Sequence, residues 1–115
     1  MEITTNIIEA NSWLTKYRGA NSYLYLYNIK LLKIAIMLEL QFEEKVLFII
    51  CTNCEHINGR FRWRNSSIII EENNEDLVKI IDKNAGFTLV GSGGFTLAKG
   101  LPSEFGDSFE NFILK

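Results

Sequence analysis

From Leu32 to Phe42 the chain alternates without a break. Leu32, Ile34, Ile36, Leu38, Leu40 and Phe42 share one parity, and Lys33, Ala35, Met37, Glu39 and Gln41 share the other. Successive side chains of a strand point to opposite faces, so the pattern predicts a long strand with one buried face. Ser22 to Leu31 alternates too, with Tyr23, Tyr25, Tyr27, Ile29 and Leu31 on one side. The phase flips where Leu31 meets Leu32. Either a bulge in one continuous strand or a tight turn near Asn28 between two strands explains the flip. Val46 to Cys51 is an unbroken apolar run, the mark of a central strand covered on both faces.

Helical spacing occurs at three places. Thr5 or Asn6 caps a first helix carrying Ile7, Ile8, Asn11 and Leu14, with Gly19 as its stop. Asn73 or Asn74 caps a second, with Glu75 and Asp76 in its first turn and Leu77, Ile80 and Ile81 facing inward. A closing helix after Pro102 lines up Phe105, Phe109, Phe112 and Ile113. Asn58-Gly59 is a strong hairpin signal and predicts a turn joining Cys54–Ile57 to Arg60–Arg64. Ile68-Ile69-Ile70 reads as a strand, and Phe87–Val90 and Phe95–Ala98 as two more around a glycine-rich tip at Gly91-Ser92-Gly93-Gly94. The expected fold is therefore α+β: one domain over residues 1–115, a twisted, mostly antiparallel β-sheet of five to seven strands with two or three short helices packed mainly on one face.

Composition narrows the function classes. A chain of 115 residues can close a core without a disulfide or metal. A net charge of −2 argues against whole-molecule attraction to nucleic acid or anionic membrane and leaves only local patches to consider. Lys30, Lys33 and Glu39 interrupt the oily stretch from Tyr23 to Phe42, so no membrane span is expected. Met1-Glu2-Ile3-Thr4-Thr5 lacks the basic start and apolar run of a secretory signal, which predicts a cytoplasmic protein with reduced cysteines.

Four patterns carry candidate chemistry. Cys51-Thr52-Asn53-Cys54 followed by His56 offers a soft metal up to three ligands, or a redox pair. There is no second cysteine pair and no other histidine, so the simpler reading is two reduced cysteines at strand ends. In Gly59-Arg60-Phe61-Arg62-Trp63-Arg64, strand alternation puts Arg60, Arg62 and Arg64 on one face and Phe61 and Trp63 in the core. Three guanidinium groups in a row can grip phosphates or an acidic surface; the plainer reading pairs them with Glu39, Glu43, Glu71 or Glu72. Tyr23, Tyr25 and Tyr27 form a same-face row suited to an interface or dimer. Gly91–Gly94 lacks the following helix that a phosphate-cradling loop needs.

No catalytic residue and no cofactor are expected. His56 has no placed nucleophile; Asp82 and Asp107 have the chemistry for acid–base roles, but the simpler reading makes them capping groups at helix ends. The sequence thus points to a small non-enzymatic protein-interaction or regulatory module, of the size and site-poor character of toxin-neutralising immunity proteins. It would bind a protein partner or itself through Arg60, Arg62, Arg64 and the tyrosine row. The alternatives are a nucleic-acid binder using the same arginines, and a metal or redox protein at Cys51, Cys54 and His56.

Overall fold

The alternating stretches become paired strands. In a computed structural model, which describes residues 1–73 and 76–105, β1 (Glu2–Thr4) leads into the single α-helix among them, α1 (Ile7–Lys16). Next come β2 (Asn21–Asn28), β3 (Lys33–Glu39), β4 (Val46–Cys51), β5 (Cys54–Asn58) and β6 (Arg62–Trp63). They are followed by β7 (Ile69–Glu72), β8 (Val78–Asp82), β9 (Phe87–Gly91), β10 (Phe95–Gly100) and a 3-10 turn at Pro102–Glu104. One sheet runs β1-β10-β4-β3-β2-β6 and the other β5-β9-β8-β7, with every pairing antiparallel.

The expected α+β fold, with one sheet and two or three helices, is therefore corrected to two antiparallel sheets and, among the described residues, one α-helix. The decisive segment is the second helix expected after Asn73. Leu77, Ile80 and Ile81 fit a helical face, but Val78, Ile80 and Asp82 fit a strand face equally well over so short a run. The β-branched residues favour the strand. Val78 to Ile81 pairs with Glu72 to Ile69, and Val78, Ile80 and Asp82 are buried. Of the closing helix only the 3-10 turn and Phe105 fall within the described residues; Phe109, Phe112 and Ile113 lie outside them.

Two expected hairpins are sheet-to-sheet crossings instead. β5 pairs with β9 while β6 pairs with β2, so Asn58-Gly59 carries the chain from one sheet to the other. Gly59 has a φ of 139°, and a Cβ there would lie 2.7 Å from Phe87 Cδ2. A close passage over β9, rather than a two-residue hairpin, is what needs this glycine. The Gly91–Gly94 segment likewise links β9 in one sheet to β10 in the other.

Of the two explanations for the phase flip at Leu31-Leu32, the turn is the one found. The turn lies between β2 and β3, with Leu32 at φ 51° and the Leu31 amide donating to Asn28 Oδ1 at 2.9 Å. A bulge is also present, at Tyr25, where the register shifts between Leu24 and Leu26.

The core lies between the sheets. Ile34, Ile36, Leu38, Leu47, Ile49 and Leu97 pack against Ile70, Val78, Ile80, Phe87 and Leu89, with Ala10 and Leu14 of α1 beside them. β4 is buried along its whole length, as its apolar run predicts. Its Val46, Phe48 and Ile50 join Ala35, Ala98 and Phe105 in a second cluster on the outer face. Each such aliphatic side chain, fully buried, contributes about 1.5–3 kcal/mol.

The helix starts where expected: Asn6 Oδ1 accepts from the Glu9 amide at 3.0 Å. It attaches to the second sheet through Asn11, whose Nδ2 donates to Ile70 O and whose Oδ1 accepts from Ile70 N, both at 2.9 Å. No helix among the described residues is long and apolar enough to cross a membrane.

Candidate functional site

β6 is an edge strand of two residues, and its pairing fixes which way the arginines point. Ser22 opposes Trp63 and Tyr23 opposes Arg62. Directly opposed residues share a face, so Trp63 joins the buried side with Ser22, and Arg62 joins the outer side with Tyr23. Trp63 is held there by stacking on Phe87, with ring centroids 4.5 Å apart, and by donating Nε1–H to Asp82 Oδ2 at 2.8 Å.

Arg60, Arg62 and Arg64 are all exposed, and with Tyr23, Trp63 and Asn21 they line a cleft of about 680 Å³. Asn84 and Ala85, from the turn between β8 and β9, form its far wall. The carboxylates expected to neutralise the arginines do not reach them. Among the described residues, ion pairs link the N-terminus to Glu104 and Lys99 to Glu2, and none involves the three arginines. Three positive charges therefore border one concavity that also presents amide and phenol groups, a chemistry suited to carboxylates or phosphates.

Phe61 departs from the sequence expectation. It is 79% exposed rather than in the core. The ladder with β2 covers only Arg62 and Trp63, so Phe61 lies outside the alternation that buries Trp63. The Leu24 amide still donates to Phe61 O at 2.6 Å, which holds this backbone beside β2.

The residue that organises the cleft is Asp82, read from the sequence mainly as a helix cap and found at the end of β8. Asp82 is fully buried and accepts three hydrogen bonds: from Trp63 Nε1, from the Ser67 amide at 2.8 Å and from the Ala85 amide at 3.2 Å. It thereby ties β6, the loop before β7 and the β8–β9 turn together beneath the arginines. A buried tryptophan within about 20 residues of an acidic residue is too common a pattern to have revealed this pairing.

The tyrosine row does not survive as one surface. Tyr23 faces the arginines, Tyr25 sits at the bulge with its ring 4.9 Å from that of Phe48, and Tyr27 opposes Ile34 on the other side of the sheet. The bulge inserts one residue and so inverts the parity of everything beyond it.

Cys51 ends β4 and is buried, and Cys54 opens β5 half-buried. His56 is exposed, and no group of three metal-ligating side chains suited to a metal ion forms among the described residues. The two central amides of the Gly91–Gly94 loop are engaged within the fold, Ser92 N donating to Asn53 O and Gly93 N to Thr52 O, so they do not converge on an anion. Asp107 lies outside the described residues. Comparison with protein-family models gives no match, and comparisons with curated proteins and with solved structures give no significant one.

Proposed function

We propose that the chain is a cytoplasmic, non-enzymatic interaction module that takes an acidic segment of a partner protein into the Arg60–Arg62–Arg64 cleft. The observation that carries the reading is three arginines around one concavity with no carboxylate partner among the described residues. Guanidinium groups form paired hydrogen bonds with carboxylates, and arginine and aromatic side chains carry much of the binding energy at protein interfaces. Phe61, exposed between Arg60 and Arg62, supplies the apolar anchor. A small regulator or toxin-neutralising immunity protein works in this manner, by covering a partner's surface.

The test is fluorescence anisotropy with a labelled glutamate-rich peptide and a labelled single-stranded oligonucleotide of equal charge. The expected result is tighter binding of the peptide, weakened by salt and abolished by combined Arg60→Glu, Arg62→Glu and Arg64→Glu substitution. Tighter binding of the oligonucleotide would replace this reading with nucleic-acid binding, which the same arginines with Phe61 and Tyr23 as stacking platforms would serve. Binding of neither probe would remove the reading.

A further inference from the structure

The turn between β4 and β5 carries both cysteines of the chain, and both are free thiols. Cys54 folds back on Cys51, its thiol donating to Cys51 O at 3.4 Å. Room for the buried sulfur comes from β9: a Cβ at Gly91 would lie 2.5 Å from Cys51 Sγ. The turn itself is held from outside. Thr52 N donates to Gly94 O at 3.2 Å, and Cys54 N donates to Leu32 O at 2.8 Å. The turn is thus anchored on the loop residues that precede β3 and β10.

The pair is also chemically asymmetric. The hydrogen bond from Cys51 lowers the Cys54 thiol below its ordinary value, against an opposing effect of burial. The same hydrogen bond, followed by burial, pushes the Cys51 thiol up. Of the two, the less buried Cys54 is the better nucleophile.

We propose that Cys51 and Cys54 form a hydroperoxide-oxidisable dithiol in which Cys54 attacks the oxidant and Cys51 resolves it to an intramolecular disulfide. In the first step Cys54 sulfur attacks one peroxide oxygen; an S–O bond forms, the O–O bond breaks, and hydroxide leaves. In the second, Cys51 sulfur attacks Cys54 sulfur. The S–S bond forms, the S–O bond breaks, and the released hydroxide takes the Cys51 proton to become water. Two electrons pass from the dithiol to the peroxide.

The test treats the reduced protein with hydrogen peroxide and follows intact mass and non-reducing electrophoresis. The expected product is a monomer about 2 Da lighter, restored by a dithiol reductant. Cys54→Ser should slow peroxide-dependent thiol loss at least about tenfold, because the remaining buried thiol is the poorer nucleophile. Cys51→Ala should stop at the sulfenic acid, captured by dimedone. Because Cys51 is buried, circular dichroism checks that variant, and Cys54→Ser decides alone if it is unfolded. An unchanged mass, a disulfide-linked dimer as the main product, or Cys54→Ser reacting as fast as the native protein would each overturn the proposal.

Discussion

Asp82 and the arginines of β6 belong to one neighbourhood and meet opposite fates. Asp82 is fully enclosed and accepts from three donors contributed by three segments of chain. Arg60, Arg62 and Arg64 stand in the open around a cleft, and no carboxylate of the described residues pairs with them. A buried charge without partners would be expelled or neutralised, so Asp82 has to be fully coordinated for the fold to exist. Exposed guanidinium groups carry no such demand. Ion pairing among the described residues does not account for their convergence, which is why we propose a ligand from outside.

The sharpest way to break that contrast is Asp82→Ala, which strands three donors and is expected to cost about 3 kcal/mol in urea unfolding. Asp82→Asn, which keeps an acceptor and the shape, should recover part of this. A smaller loss, about 1–2 kcal/mol, is expected for Asn11→Ala, since both polar groups of Ile70 lose their partner at a half-buried site. Tyr17→Phe should cost less again, about 1 kcal/mol at neutral pH, for the hydrogen bond from its hydroxyl to Lys45 O at 2.7 Å.

Tyr17 adds a pH test. Burial, with smaller contributions from the Glu43 and Glu2 charges, pushes its phenol from 10.0 up to about 12. The unfolded phenol ionises first, so its contribution to stability is intact below pH 10 and fades as pH rises towards 12. Tyr17→Phe should remove that share of the alkaline loss. Smallest of all is the triple arginine-to-glutamate variant, expected to change stability by less than about 0.5 kcal/mol while abolishing peptide binding. A large destabilisation there would mean that the arginines serve the fold after all.

The legibility of the chain divides along the same line. β3 is legible in place but not in extent or sidedness: it spans Lys33–Glu39, Ala35 on its second face is buried, and Phe42 is 97% exposed. β4 is plain in the sequence because an unbroken apolar run is set by burial alone. β8 is not, because Leu77, Val78, Ile80 and Ile81 satisfy two periods at once and only pairing with β7 decides. Asn58-Gly59 carries a hairpin signal, yet the partners of β5 and β6 are remote in sequence, and local turn chemistry cannot report them. In the cleft, the outward face of the arginines follows from alternation. The exposure of Phe61 does not, because nothing in the sequence marks where the ladder with β2 ends. Nor does Tyr23 separate itself from Tyr27 until the bulge at Tyr25 is seen.

The Asn11 contact to Ile70 has a consequence for assembly. A carboxamide presents the same donor and acceptor as a peptide group, so the side chain occupies the place on the rim of β7 that a neighbouring molecule's backbone would take. Fibril-like growth is obstructed on that flank by this contact together with the exposed charges of Glu71 and Glu72. One asparagine, positioned by a helix, serves as the sheet's terminus.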